Sequence, residues 1–168
     1  MDTELGYNLI VWTVRASVLL YVLAVWRFLF HSDRSTAPEP VYRIAWTASW
    51  LLCVVHVVFA YHFEHHWNQA AALKHTAEMT ERVVGLHWSG GLYVNYIFLT
   101  LWGIDAARLF RVSAVGSSLA MHCVAAFMMF NATAVFGPVW WWIPFTAVMI
   151  AVAWRWRNGS QRSSDGEA

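Results

Sequence analysis

Histidines are concentrated in one stretch of this sequence. Residues 56–88 contain six of the eight histidines in the 168-residue chain. Neutral imidazole nitrogens bind zinc, copper and non-haem iron, and imidazoles also serve as axial ligands of haem iron. The clustering is therefore compatible with a metal site, a haem site, or a proton or ligand relay. It is also compatible with a polar cap on a helix end that has no chemical role.

Four of these histidines and one glutamate form the candidate metal site. His62 and His66 are four residues apart, so they share one face if the helix that contains them is regular. His75 and Glu78 are three residues apart on a second predicted helix, and His87 stands just before a third. We predict that these residues converge on a transition metal, either zinc, copper or iron: His62, His66, His75, Glu78 and His87.

Haem b is the alternative cofactor, and depth in the predicted helices restricts its ligands. At about 1.5 Å per residue, His56 and His122 differ by roughly 10 Å in depth, too far to share an iron. His56 and His62 share one helix and cannot grip an iron from opposite sides. The remaining pairing is His62 or His66 with His87.

Polar side chains inside apolar segments extend the candidate site. Arg15, His56, Asn95 and Asn131 fall in the outer half of the predicted membrane segments. Ionisable groups at such depth are functional candidates. We predict a polar pocket beneath the histidine loop, with Arg15, His56 and Asn95 as cofactor-binding residues. The alternatives are an Arg15 side chain that extends to the membrane surface and asparagines that hydrogen-bond between helices.

The five residues from His62 to His66, HFEHH, resemble the HxxHH histidine box of membrane fatty-acid desaturases and hydroxylases. Those enzymes hold two irons with several boxes that face the cytoplasm. This sequence contains one box, which the topology below places outside. The resemblance is therefore not extended to the family.

The composition is that of a membrane protein. Hydrophobic residues make up 59% of the chain and charged residues 12%, whereas soluble domains carry about 25% charged residues. The 12 tryptophans fit a protein whose aromatic rings lie at membrane–water interfaces. A net charge of +1 gives no reason to expect a nucleic-acid partner. Cys53 and Cys123 lie singly in apolar runs, so neither a disulfide framework nor a thiolate site is predicted.

Five segments are long and apolar enough, or nearly so, to cross a bilayer. Basic residues accumulate in the first and third connections and after the last segment, whereas the N-terminus has none. Because such residues mark cytoplasmic ends, this distribution predicts an N-terminus outside and a C-terminus inside. The segments are 8–30, 44–61, 89–104, 117–136 and 139–154, and the basic residues are Arg27, Arg34, Arg43, Arg108, Arg111, Arg155, Arg157 and Arg162.

The predicted fold is an all-α integral membrane protein with a bundle of five transmembrane helices. Asn68 can cap a short helix over residues 68–83, which we place on the outer surface between the second and third membrane helices. Gly137 and Pro138 predict a tight hairpin between the last two helices, with one bent helix or a re-entrant pair as the alternatives. Residues 1–157 form one transmembrane domain, and residues 158–168 form a disordered cytoplasmic tail.

Function is predicted only in outline. The first hypothesis is a small multi-pass protein of the bacterial inner membrane that handles metal or redox chemistry at an outer histidine site. The second is a non-catalytic subunit or assembly factor that packs against other membrane subunits, with the histidines as a polar cap. A transporter ranks last because the sequence has no inverted repeat.

Overall fold

In the part of the chain that the computed structural model describes, every regular element is helical. This part comprises residues 2–30, 39–111 and 119–132, with isolated positions between 143 and 154. The helices are α1 (Asp2–Phe30), α2 (Pro40–Phe59), α3 (Gln69–Val84), α4 (Gly91–Arg108) and α5 (Leu119–Phe130), and a π-helical segment (Ala60–Glu64) extends α2. The predicted all-α class is confirmed over these residues.

Among the described residues, two helices are long and apolar enough to cross a membrane. They are Glu4–Phe30 within α1 and Pro40–Glu64, which combines α2 with the π-helical segment. Helix α5 is apolar but shorter, and α4 includes Asn95, Asp105 and Arg108. The Gly137-Pro138 turn, most of the predicted fifth span and the predicted tail lie outside the described residues.

Helices α1 and α2 cross where two serines exchange hydrogen bonds. The Ser17 hydroxyl donates to the carbonyl oxygen of Ser49 over 2.8 Å, and the Ser49 hydroxyl donates to the carbonyl oxygen of Ser17 over 2.7 Å. Both side chains are fully buried. Small hydroxyl residues let helix backbones approach closely and satisfy polar groups between apolar helices. The chain divides into two compact units, 1–128 and 129–168, and all contacts described here lie within the first.

Tryptophans join α2 to α4. The Trp46 indole donates to the Asp105 carboxylate over 3.0 Å, and the Trp50 indole donates to the Leu99 carbonyl oxygen over 2.9 Å. The ring of Trp50 lies against Gly103, where an added Cβ would come within 2.6 Å of a ring carbon. Glycine at this position therefore permits the close approach of the indole.

Helix α5 docks through a buried histidine. The His122 Nε2 lies 3.1 Å from the Tyr42 hydroxyl, and its ring lies 3.9 Å from that of Phe28 and 4.6 Å from that of Trp46, between centroids. The Nδ1 atom of His122 is buried without a hydrogen-bond partner. We describe His122 as a packing residue of this aromatic core.

Helix α3 begins and ends as the sequence predicts. The Asn68 side chain accepts hydrogen bonds from the backbone amides of Ala70 and Ala71, over 2.9 and 3.2 Å. Gly85 adopts a left-handed φ of 72° after the last turn. These are the usual start and stop of an isolated helix, and the prediction of a helix over residues 68–83 is confirmed to within one residue.

Candidate functional site

The candidate site lies where the chain leaves α2 and reverses into α3. We call residues 60–84 the cap: the π-helical segment, the reversal at residues 65–68, and α3. The cap is seated on α1 through Phe63. A Cβ added at the buried Gly6 would come within 2.6 Å of the Phe63 ring, so glycine at this position lets the aromatic ring rest on the α1 backbone. π-Helical turns of this kind occur frequently at functional sites.

The reversal contains two consecutive non-glycine residues in left-handed conformations. His66 has a φ of 47° and Trp67 a φ of 59°. Such conformations cost about 1–3 kcal/mol each and persist where the surrounding structure fixes them. Here the backbone amide of Trp67 bonds to the Tyr61 carbonyl oxygen over 2.9 Å, and that of Asn68 bonds to the His65 carbonyl oxygen over 2.8 Å.

This reversal corrects one step of the sequence argument. His62 and His66 were expected on one face of a regular helix. The α-helical pattern instead gives way to a π-helical turn at Ala60, helical structure ends at Glu64, and His66 lies in the left-handed reversal. The four-residue spacing therefore does not give a shared helix face. The two residues still border one open groove beside the first turns of α1.

The reversal brings His65 against His75 on α3. Their ring centroids are 5.4 Å apart and their ring planes are inclined by 58°. Burial lowers the pKa of His65, and the electrostatic effect of His75 lowers it further, against an opposing effect of Glu64. His65 is half-buried and His75 is exposed. Both influences favour a neutral His65 imidazole, the form that binds metal ions.

A polar network fixes the cap to α4. The hydroxyl groups of Tyr61 and Tyr96 contact each other, and both donate to the Gln69 side-chain oxygen, over 2.6 and 3.3 Å. The three residues belong to the π-helical segment, α3 and α4. The position of α3, and hence of His75, is thereby tied to both neighbouring elements.

The other predicted ligands have separate partners. The Trp67 indole donates to His62 Nδ1 over 3.2 Å. The His87 Nδ1 lies 2.7 Å from the Glu81 carboxylate, and Glu78 lies 3.9 Å from Lys74. Among the described residues, no group of three or more histidine, cysteine, aspartate or glutamate side chains is placed to hold a metal ion. The five-residue ligand set therefore stays a prediction.

The residues of the predicted cofactor pocket, Arg15, His56 and Asn95, lie on α1, α2 and α4 respectively. The Arg15 guanidinium lies 4.9 Å from the centre of the Trp12 ring on its own helix. The His56 Nδ1 donates to the Ile10 carbonyl oxygen over 2.9 Å. Asn95 is exposed on α4. The His56 bond leaves the lone pair on Nε2, as in metal-ligating histidines.

Sequence reasoning missed His65. In a regular helix the four-residue spacing of His62 and His66 would place both side chains on one face, so these two residues were the predicted ligands. The residue that meets α3 is the one that ends the helix just before the chain reverses. The available signal was Asn68, the predicted N-capping residue of α3, because an N-capping residue implies that the chain changes direction immediately before it.

No family model, no curated protein and no solved structure matches this chain. Its function is therefore inferred from the contacts, burial and charges of the described residues.

Proposed function

We propose that this chain is a multi-pass integral membrane protein that binds a divalent transition metal at its cap. The protein lies in a bacterial inner membrane with the N-terminus and the cap outside and the C-terminus in the cytoplasm. Its role is metal handling at the outer surface. The observation on which this proposal chiefly depends is the His65–His75 pair at a strained, firmly anchored reversal.

Membrane embedding is supported by the apolar surface of α1. Leu5, Trp12, Leu19 and Trp26 are spaced by seven residues and have exposed fractions of 57%, 63%, 61% and 47%. Seven residues correspond to about two helical turns, so these side chains form one stripe. A core helix of a soluble protein would bury such a stripe, but only 28% of the apolar window in α1 is buried. Hydrocarbon is the solvent that this surface fits.

Helices α2 and α4 show the same pattern. Ile44 and Leu51 on α2 are 64% and 50% exposed, and Ile97 and Ile104 on α4 are 61% and 56% exposed. Only 17% of an apolar 18-residue stretch within Pro40–Glu64 is buried. A soluble helix normally presents its polar face outward. Three helices with apolar outward faces are therefore better explained by lipid than by water.

The topology rests on the sequence. Arginines in the first and third connections, opposite the cap, assign those ends to the cytoplasm. Arg27 and Glu39, at the two ends of the first connection, form a salt bridge. The charges of the cap are mixed, with Lys74 and Arg82 among Glu64, Glu78 and Glu81.

Metal binding at the cap is supported by its geometry. Imidazoles are common ligands of zinc, copper and nickel, and binding requires that they be neutral and held close together. Backbone strain at a reversal that places two imidazoles side by side is typical of a functional site. Haem is the weaker cofactor hypothesis because His62 and His87 each engage a different partner, Trp67 and Glu81.

The test is elemental analysis and visible absorption of the full chain, purified in mild detergent without a polyhistidine tag and equilibrated with Zn²⁺. We expect about one bound zinc ion per chain, in excess of the zinc in the buffer at dialysis equilibrium, with no Soret band. A Soret band would replace the metal proposal with a haem protein. A colourless protein that binds no zinc at equilibrium would contradict metal handling.

The second candidate is a non-catalytic subunit of a larger membrane complex. The specific observation is Asn95, an exposed amide on a helix whose exposed neighbours include Val94 and Ile97. In membranes, such amides hydrogen-bond to other helices. If this role holds, Asn95→Leu reduces the native mass of the complex in mild detergent, whereas Thr100→Val, whose hydroxyl already bonds within α4, does not.

A further inference from the structure

We infer that His65 and His75 are the two protein ligands of an open, exchangeable transition-metal site on the cap. This inference rests on the proposed function and specifies its ligands and its coordination. It replaces the wider set suggested by the sequence with one pair, of which one member was not among the predicted ligands. The remaining coordination positions belong to water or to a small ligand that arrives with the metal.

The ring separation fits two bonds to one ion. With Zn–N distances of about 2.1 Å, a metal lies roughly 3.2 Å from the centroid of each coordinating imidazole. A centroid separation of 5.4 Å then corresponds to an angle of about 115° at the metal, close to tetrahedral. The spacing of the two rings is therefore compatible with both binding one ion.

The pair is held by two elements whose relative position is fixed. His65 directly follows the π-helical segment, and His75 lies on α3. The contact of Phe63 with Gly6 seats the π-helical segment on α1, and the Tyr61–Gln69–Tyr96 network fixes α3 against α4. A preorganised pair loses little conformational freedom on binding, so even two ligands can give useful affinity.

The surrounding charges favour a cation without closing the site. Glu64 is exposed and directly precedes His65 in the chain. The Lys74 side chain, next to His75 in sequence, is 77% exposed and extends into solvent. Structural zinc sites have four protein ligands, whereas sites that exchange ligands keep positions open. A two-histidine site belongs to the second kind.

The experiment is a Zn²⁺ titration of the untagged full chain in nanodiscs, with a competing chelator to measure affinity. We expect His75→Ala to weaken binding about tenfold or more, since even partners outside the ligand shell contribute 10–100-fold. The matched control is His87→Ala, which removes another exposed imidazole, one that contacts Glu81 instead, and should change the affinity less than about twofold. Because His75 is exposed, its removal leaves the fold intact.

A second measurement uses Cu²⁺ and electron paramagnetic resonance. The wild-type chain should show hyperfine coupling to two imidazole nitrogens, and His65→Gln and His75→Ala should each show one. Zinc affinity that survives both substitutions but falls in His62→Ala or His87→Ala would overturn the pair while leaving metal binding at the cap intact. If the wild-type chain binds no zinc, both the pair and the proposed function are wrong.

Discussion

At the residue scale, the imidazole rings of His65 and His75 lie side by side, although His65 precedes α3 and His75 lies within it. His65 sits at the reversal, half-buried and beside His75 on α3. Its pKa is lowered by burial and then by the neighbouring imidazole. Removing the His75 ring removes its electrostatic effect and the part of the burial that this ring supplies, while the rest of the burial of His65 remains.

We predict that His75→Ala raises the pKa of His65 but leaves it below the ordinary value. The electrostatic contribution of His75 disappears, while the rest of the burial of His65 remains. The measurement is an NMR titration of histidine side chains labelled with ¹³C and ¹⁵N. His87→Ala serves as the control and should not change the titration of His65. An unchanged pKa in His75→Ala would mean that the two rings are not neighbours.

The lowered pKa also predicts that the cap is less stable in acid. When the cap unfolds, His65 regains its ordinary pKa of about 6.5 and binds more protons than in the folded cap. The free energy of unfolding of the cap is therefore highest above that pH and decreases as the pH falls below it. Glu64 opposes this effect, and His66 and His75 reinforce it.

Hydrogen exchange tests this pH dependence. After correction for intrinsic rates, we expect the amides of α3 to lose protection between pH 7.5 and pH 5, whereas those of α4 keep theirs. His65→Gln, whose side chain does not titrate, should show a smaller pH effect. Equal protection of α3 at pH 7.5 and pH 5 in the wild-type chain would show that protonation of His65 does not destabilise the cap.

At the element scale, the cap helix depends on a single capping side chain. We predict that Asn68→Ala destabilises α3 by about 1 kcal/mol, because the amides of Ala70 and Ala71 lose their acceptor. The readout is faster hydrogen exchange in the first turn of α3. Asn68→Ser is the matched control, since serine also caps and should retain most of the protection. Similar exchange in the alanine and serine variants would contradict the capping role.

The contact between α2 and α4 depends on the missing side chain of Gly103. We predict that Gly103→Ala destabilises the protein by about 1–3 kcal/mol, because its Cβ would overlap the Trp50 ring. Thermal unfolding in detergent provides the measurement. Gly91→Ala is the control in the same helix, where the nearest atom would lie 3.5 Å away at ordinary contact distance. Equal melting temperatures for the two variants would rule out the close contact.

The elements with local signals could be predicted from sequence, and those set by tertiary contacts could not. Asn68 and Gly85 directly flank α3, so the signals for both helix ends are local and the helix was predicted to within one residue. The π-helical segment has no such signal. We attribute it to the seating of Phe63 on Gly6, a contact between residues 57 positions apart (63 − 6).

The same distinction explains the site. A regular helix would pair His62 with His66. The N-capping residue Asn68 indicates that the chain changes direction before α3, but not which histidine then lies against α3. The change to π-helical geometry and the left-handed conformations at His66 and Trp67 shift the phase of the chain. His65 then faces His75. A one-residue difference in the ligand is thus the consequence of a tertiary contact near the end of α2.

At the scale of the whole molecule, the outward faces of α1, α2 and α4 carry many large apolar side chains. The described polar contacts include some between helices and some at the cap. The reciprocal Ser17–Ser49 bonds and the Trp46–Asp105 bond are of the first kind, and the Tyr61–Gln69–Tyr96 network is of the second. This distribution suits a protein that spans a bilayer. The proposed function also requires that the cap lie on the outer side of the membrane.

Cysteine labelling in intact spheroplasts tests that requirement most directly. In a Cys53→Ala, Cys123→Ala background, Lys74→Cys places a thiol on the exposed face of α3, and Arg111→Cys places one just beyond α4 on the opposite side. We predict that a membrane-impermeant maleimide labels Lys74→Cys in intact spheroplasts and labels Arg111→Cys only after lysis. Labelling of Arg111→Cys in intact spheroplasts, with Lys74→Cys protected until lysis, would place the cap in the cytoplasm and contradict an outer metal site.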